Sequence, residues 1–475
     1  MCSPRLLGVL GAFVLMGLGC APSLGQNTLR EPQLALPAGY GSAQPSEPKV
    51  PSLVDQTWRQ FFQDPELKAL IDAALRNNQE LNVRLQEIII AHNEVMAREG
   101  EYLPQVSVGA GAGVDKVAGH TSQGVSDEAH GLPAILQNYR FGFSASWEVD
   151  IWGKLRNAAK AAALRYLSSI EGRNFVVTKL VAEIARSYNE LLALDSQLEV
   201  LKQNVDIQTN ALEVVKLQKE AARVTELAVQ RFEAEVLKNQ SRQFDLQQRI
   251  VEVENRINFL VGRFPQPVAR SAQRFQAPLP IAVSAGIPAQ LLDNRPDVKQ
   301  AELALAAAKL DVQAAKARFY PALSIEAGVG YQAFNAKHLL VTPESLIFNL
   351  AGNLTAPLLN RQAIKAEYFT ANASQMQAVF KYEQTLLQAF TEVANQLSMI
   401  GNLDKSYQLA AQQVDKLIRS IDTSNVLFQS ARADYMEVLM TRRDSLESQM
   451  DLIETKLRQR QALVNVYQAL GGGWR

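Results

Sequence analysis

Four stretches of the chain alternate between apolar and polar residues, which is the pattern of a β-strand with one apolar face. Within Tyr139–Ile151 the odd-numbered residues are apolar and the even-numbered ones are polar or glycine. The same alternation occurs at 106–115, 323–332 and 346–355. It predicts four strands of about ten residues or more, the length of the strands in membrane barrels.

Most of the remaining chain has the spacing of long helices. Apolar residues recur every three or four positions through 184–205, 250–260 and 397–421, and no proline interrupts Ala134–Phe264 or follows Pro357. This spacing is typical of coiled coils. A helical bundle in a soluble domain would produce it equally well.

The chain contains an internal repeat. Arg98–Val114 resembles Ala315–Tyr331, and Ser146–Ala162 resembles Asn353–Phe369. Because the unit is roughly 200 residues long, far beyond solenoid periods, it indicates an old duplication. We predict a first repeat over 54–264, a proline-rich connector over 265–296 and a second repeat over 297–475. Each repeat would run helix, strand, strand, long helix, helix.

The N-terminus has the features of a secretion signal. An apolar run from Leu6 to Leu18 is followed by Gly19 and Cys20, so residues 1–19 are predicted to be a signal peptide. Cys20 is then the lipid-attachment residue, a palmitate-bearing anchor before an extended leader over 20–53. The alternative is ordinary cleavage near Ala21, since Gly17 stands where a lipobox usually has leucine. The only other cysteine is Cys2, so the mature chain has no internal disulfide.

Four strands cannot close a membrane barrel within one chain. An open sheet edge in lipid leaves backbone groups without hydrogen bonds, and small membrane barrels have at least eight strands. The polar face, which consists mostly of Gly and Ser, is too small to fill a barrel of eight. A trimer with an open lumen is therefore predicted. The alternative is a small soluble sheet packed on the helices.

Composition and motifs give no sign of catalysis. Lys plus Arg and Asp plus Glu both number 48, so no net field attracts nucleic acid. The four histidines lack the spacing of metal ligands, and there is no phosphate loop, nucleophile elbow or HExxH. We expect no enzyme activity, no cofactor and no metal site.

Several longer motifs resemble one protein family. WRQFFQDPELKALIDAALRNNQELNV (58–83), ASWEVDIWGKLR (145–156), IPAQLLDNRPDVKQAE (287–302) and YQALGGGW (467–474) are similar to segments of the TolC-like outer-membrane efflux factors. The match is closest to their lipoprotein branch, which serves resistance-nodulation-division (RND) pumps. For Arg295 and Asp297, a local structural role is a simpler explanation than a direct functional one. Asn294, Pro296 and Asp297 are residues that suit the start of a helix.

The resemblance implies both a fold and a function. The fold would be mainly helical, with a trimeric twelve-stranded transmembrane barrel, four strands per chain, continued by a periplasmic helical barrel. The protein would be the passive outer-membrane duct of a tripartite multidrug efflux system, partnered by a periplasmic adaptor and an inner-membrane RND pump. From the residues alone, an exported trimeric coiled-coil fibre or adhesin with a β-anchor is the alternative.

Two breaks in the helical pattern are the candidate functional sites. The resemblance implies that the closed periplasmic end and the adaptor contacts lie there, with Glu437 in a constricting acidic ring; Asp434, one turn earlier, extends this gate. The alternative is two solvated helix turns. The family commonly has glycine where this chain has Ala222 and Ala431. The predicted tip or adaptor-contact residues are Ala222, Arg223, Thr225, Glu226, Ala431, Arg432 and Tyr435.

Overall fold

The structure, a computed structural model, describes residues 21–24, 29–37, 39–40, 56–277, 288–357, 359, 361–430 and 432–474. The predicted signal peptide, Cys20 and most of the leader lie outside these residues. The chain divides into two compact units. Unit 1 contains Ile88–Ser168 and Ala301–Tyr382 with the chain up to Pro32, and unit 2 contains Gln33–Glu87, Ser169–Gln300 and Glu383–Arg475.

Helices dominate the described chain, and two of them are very long. Helices α5 and α9 have 67 and 68 residues, and each is followed after a short turn by a helix of about half that length. No described helix is both long and apolar enough to cross a membrane. The helices are α1 (Trp58–Phe61), α2 (Pro65–Asn77), α3 (Gln79–Tyr102), α4 (Ser122–Ala129), α5 (Lys154–Glu220), α6 (Glu226–Val261), α7 (Gln290–Asn294), α8 (Pro296–Ala317), α9 (Gln362–Gln429) and α10 (Tyr435–Ala469).

Unit 1 contains one antiparallel sheet in the order β1-β2-β3-β4. Its register brings the predicted apolar residues onto one face, so the four-strand alternation is confirmed. One cross-strand row reads Val108, Phe143, Val329, Phe348, and the next reads Ser107, Ser144, Gly328, Asn349. Leu136 and Ile347 are the large apolar exceptions on the polar face. The strands are β1 (Gln105–Asp115), β2 (Leu136–Val149), β3 (Ala322–Ala333) and β4 (Leu346–Thr355).

The apolar face of this sheet is uncovered in the single chain. Phe348 is 81% exposed, Val108 73% and Phe143 61%. A monomeric soluble protein rarely exposes so continuous an apolar surface. The face therefore requires either lipid or another protein surface against it.

Strand β2 ends two residues earlier than the alternation predicts. Ile151 lies in a turn, and Asp150, assigned to the polar strand face, is instead buried. Its carboxylate accepts the backbone N–H groups of Leu155 (3.2 Å) and Arg156 (2.9 Å), which are among the orphan donors at the start of α5. Burial alone would raise the pKa of Asp150, but these hydrogen bonds and Arg156 outweigh it and hold the pKa below its usual value.

The core of unit 2 lies where α2, α5, α6 and α10 pack. Tyr188, Leu191 and Ile257 are almost fully buried there. The Tyr188 hydroxyl donates to Asp64 and Glu66 at 3.1 and 3.2 Å, which ties α5 to the start of α2. Burial and these two carboxylates raise the pKa of Tyr188, so its hydroxyl keeps its proton at neutral pH.

The Asn294–Asp297 motif does more than start a helix. Arg295 is only 5% exposed, and its guanidinium donates to both oxygens of Asp297, to Glu392 on α9 at 2.8 Å and to the Ala469 carbonyl of α10 at 3.0 Å. Burial works to lower the pKa of Arg295, but Asp297 and Glu392 outweigh it and keep the pKa above its usual value. One side chain thus joins three elements of unit 2.

The chain end meets the same motif. Gly471 has φ +90°, and an added Cβ would stand 2.4 Å from the Asn294 carbonyl oxygen. The indole N–H of Trp474 donates to that oxygen at 3.3 Å. The glycines of the YQALGGGW segment therefore allow the C-terminus to approach the start of α8 closely.

The described part of the leader lies along α9. The Gln375 amide donates to the Arg30 carbonyl at 2.7 Å, and the Arg30 guanidinium lies 4.4 Å from the centre of the Phe380 ring. Further along, the Tyr40 ring stacks on Phe390 with centroids 5.3 Å apart. This leader has no regular secondary structure but makes specific contacts.

Candidate functional site: the helix turns and the polar sheet face

The first predicted tip is a tight turn between α5 and α6. The Ala222 N–H donates to the Lys219 carbonyl (2.8 Å), and the Arg223 N–H reaches back to the Gln218 carbonyl (2.9 Å). The second of these is the long bond of a Schellman C-cap. Ala222 has φ +55°, the left-handed region that glycine adopts without cost. The turn therefore places alanine at a position whose backbone favours glycine.

The second tip repeats this turn between α9 and α10. The Arg432 N–H donates to the Leu427 carbonyl at 2.9 Å, which spans the same five residues as the Arg223 bond. Ala431 lies outside the described residues. The described part of the second turn thus shares this long hydrogen bond with the first, at the corresponding place in the other half of the chain.

Most of the predicted contact residues are on the surface of these turns. Arg223, Thr225 and Glu226 are exposed, as is Arg432. Glu226 forms an ion pair with Lys219 across the first turn. The turns therefore present charged groups to the surroundings.

Tyr435 has a second environment that the sequence did not indicate. It is half-buried and packs, with Leu439, against an apolar cluster of the first turn. Only the three- and four-residue spacing of its apolar neighbours could have pointed to this contact. The cluster joins the two turns and consists of Leu212, Val215, Ala228, Val229, Phe232 and Val236.

The two predicted gate carboxylates lie together at the start of α10. Asp434 immediately precedes the helix and Glu437 is in its first turn, and both are exposed. The Glu437 N–H donates to the Asp434 carbonyl at 3.1 Å. Negative charge is favourable at a helix N-terminus. Within the described chain neither carboxylate has an ion-pair partner.

The polar sheet face is lined mainly by small residues, with few charges. Gly109, Gly142 and Gly330 form one row, and the row beside it, toward the β1–β2 loop, holds Gly111, Arg140 and Gln332. In the sequence, Arg140 is one polar residue of the alternation. It could have been singled out because it is the one large cation among polar-face residues that are mostly Gly and Ser.

Metal binding finds no support in the described residues. No group of three or more His, Cys, Asp or Glu side chains among them is arranged to hold a metal ion. The His130 ring nitrogen Nδ1 lies 2.7 Å from the Ser126 carbonyl, which is a local contact of the α4 C-terminus.

A sheet with one exposed apolar face, combined with very long paired helices, is the architecture expected of a membrane channel. The family model described as outer membrane efflux protein matches residues 70–263 and 287–472. The chain belongs to the outer membrane efflux protein family.

Individual relatives match over almost the whole chain. "Pyoverdine export outer membrane protein OpmQ" of Pseudomonas aeruginosa is 29% identical, covering 99% of this chain and 98% of the relative. "Probable outer membrane lipoprotein SilC" of Salmonella typhimurium is 25% identical, covering 99% of both chains. The open state of the Neisseria gonorrhoeae MtrE outer membrane channel has a TM-score of 0.81 at 22% identity, covering 94% of this chain and 98% of that one. The fold predicted from the sequence is thus confirmed, and the protein is an outer-membrane efflux component rather than a surface fibre.

Proposed function

We propose that three copies of this chain form the passive exit duct of a tripartite efflux system. Three four-stranded sheets would close a twelve-stranded barrel by pairing β4 of one copy with β1 of the next. The observation that carries the proposal is the continuous apolar face of the sheet, which only lipid would cover on a closed barrel. Its test is a mass measurement in detergent, corrected for bound detergent. A trimer is expected, and a monodisperse monomer with an intact β signal would contradict the barrel.

The partners follow from the location of the duct. A channel in the outer membrane has no access to a nucleotide, and the sequence has no phosphate loop that would bind one. The energy for export therefore comes from an inner-membrane pump of the RND type. A periplasmic adaptor joins the two, and the exposed residues of the helix turns are its contact surface. The two repeats, 54–264 and 297–475, would each supply one turn to that surface.

The anchor is Cys20. Acylation of this residue is supported by the Gly19-Cys20 sequence after an apolar run and by the name of the SilC relative, a probable outer membrane lipoprotein. A single acyl chain binds membranes only marginally. The barrel would therefore carry most of the attachment, and the lipid would assist it.

The gate is formed by the two carboxylates at the start of α10. In a trimer Asp434 and Glu437 each occur three times around one axis, and such rings attract cations and repel one another within a Debye length of about 8 Å. The closed state then needs other contacts, for which Arg223 and Arg432 on neighbouring turns are suited. An open state is known for the MtrE relative.

Bilayer conductance tests the gate. We expect Asp434→Ser/Glu437→Ser to lose cation preference and block by divalent ions while remaining trimeric. Glu447→Ser is the matched control, because Glu447 is exposed on the same helix ten residues beyond Glu437. If selectivity and block are unchanged in the double variant, the two residues lie on the outer surface of the turn.

A further inference from the structure

We propose that Arg140 forms a ring of three guanidinium groups inside the barrel, near its loop end, that binds and passes anionic solutes. This inference rests on the proposed trimeric duct. It concerns the sheet of unit 1 rather than the acidic gate in unit 2, and the opposite sign of charge.

The register places Arg140 on the polar face. It pairs with Gly111 of β1 and Gln332 of β3, whereas its neighbour Phe141 pairs with Ala110 and Tyr331 on the apolar face. If lipid covers the apolar face, Arg140 points to the lumen. It lies four residues from the start of β2, the end of the strand that joins the loop between β1 and β2.

No partner among the described residues would neutralise the Arg140 guanidinium. Arg140 is exposed, and no described residue forms a hydrogen bond or ion pair with it. Its side chain lies across Gly111, where an added Cβ would stand 3.2 Å from Nε. An ordinary residue at 111 would therefore crowd the arginine.

The adjoining row leaves space beside Arg140, because glycines occupy it on β1, β2 and β3 and its one large side chain is Ile347 on β4. Gly142 and Gly330 face each other so closely that an added Cβ on either would stand 2.5 or 2.4 Å from a carbonyl oxygen of the other strand. Real Cβ atoms do not come that close, so side chains are excluded there. Arg140 is thus the only long side chain of its own row and the glycine row that carries a charge.

The other charges on this face are distant. Asp115 is four residues from Gly111 along β1, which is roughly 13 Å, and Glu326 is six residues from Gln332 along β3, which is roughly 20 Å. Glu148, still further away, is paired with Lys154. Both intervals exceed the Debye length of about 8 Å at physiological salt. The Arg140 level of the lumen is therefore locally positive.

The chemistry of the ring defines the solute. A guanidinium stays charged at any physiological pH and presents five donors in a planar fork that matches carboxylate and phosphate oxygens. Rings of arginine or lysine are the usual lining of anion and phosphate pores. The ring would favour exit of compounds that carry carboxylate or phosphate groups.

Side-specific block in planar bilayers tests the ring. Inorganic pyrophosphate is added to the chamber that faces the loops, and the current through wild-type trimers is compared with that through Arg140→Gln and Arg140→Lys. We expect block of the wild type, an approximately tenfold weaker block of Arg140→Gln, and an intermediate block for Arg140→Lys, which keeps the charge but loses the planar fork. Glu326→Gln, lower on the same face, is the control and should not weaken the block.

The outcomes separate the ring from the duct. Equal block of wild type and Arg140→Gln, or a conducting wild type that pyrophosphate does not block, would overturn the ring and leave the duct standing. A block of Arg140→Lys weaker than that of Arg140→Gln would mean that the positive charge does not attract pyrophosphate, and would also overturn it. A trimer that inserts but carries no current, even with the gate substitutions Asp434→Ser/Glu437→Ser, would overturn the proposed function, and the ring with it.

Discussion

Replacing Phe143 by arginine places a charge in the middle of the apolar sheet face. Phe143 stands seven residues after the start of β2 and six before its end. It is flanked across the strands by Val108 and Val329, both on the same face. The neighbouring residue, Ser144, has the opposite orientation, and its hydroxyl lies 2.8 Å from that of Ser107. The same substitution at these two adjacent positions therefore compares the two faces directly.

The magnitude follows from the position of each residue. Arginine on the lipid face near the bilayer midplane destabilises a barrel by about 2–4 kcal/mol. Because each trimer carries three copies, the sum is roughly 6–12 kcal/mol, enough to prevent insertion of a marginally stable barrel. Ser144→Arg instead meets water in the lumen, beside Gly328, and should have a much smaller effect.

The assay is insertion into lipid vesicles, followed by resistance of the trimer to heat in detergent. We expect Phe143→Arg to insert poorly and to dissociate at a lower temperature, and Ser144→Arg to behave nearly as the wild type. Equal damage from both substitutions would show that the two faces meet the same surroundings, which would refute the membrane sheet.

Three further changes test other parts of the molecule. Ala222→Gly should stabilise the first turn by about 1 kcal/mol, because alanine at φ +55° is strained, and should slow amide exchange there; faster exchange would contradict this. Arg295→Met should destabilise by roughly 3–5 kcal/mol, because the partly buried Asp297 carboxylate and the buried Ala469 carbonyl lose their guanidinium donor. Arg419→Met, which loses an exposed ion pair within α9, should have little effect. Equal melting temperatures of the Arg295→Met and Arg419→Met variants would argue against a stabilising role for the Arg295 contacts. Cys20→Ser should lose metabolic labelling with a fatty acid analogue and keep most activity, and an unlabelled wild type would favour ordinary signal cleavage.

The sheet could be predicted from sequence because its two environments differ so strongly. A strand with lipid on one side and water on the other must alternate at every residue. The register confirms that pattern across all four strands, as in the apolar row that begins at Val108 on β1 and ends at Phe348 on β4. The prediction was wrong only at the end of β2, where Asp150 continues the alternation by type but turns inward to bind the amides of α5. The alternation alone cannot show whether a polar residue at its end, such as Asp150, belongs to the strand or caps the following helix.

Long-range contacts were beyond the reach of the sequence patterns. Arg295 contacts Glu392 and Ala469, which are 97 and 174 residues away, and the local helix-start signals of its motif account for neither. Tyr435 was assigned to the surface of a turn, yet it also fills the apolar cluster of the other turn. The roles of Asp434 and Glu437 stay predictions, because they depend on neighbours that only an assembly supplies.

The open edges of the sheet have a consequence for biogenesis. Strands β1 and β4 are the outer strands of the four-stranded sheet, so a newly exported chain presents two unpaired edges of 11 and 10 residues beside an apolar face. Exposed edges of this kind promote aggregation. Sheet formation and subunit association should therefore occur as one concerted, concentration-dependent event. Before that event, the chain would need a periplasmic chaperone that shields both edges on its way to the membrane.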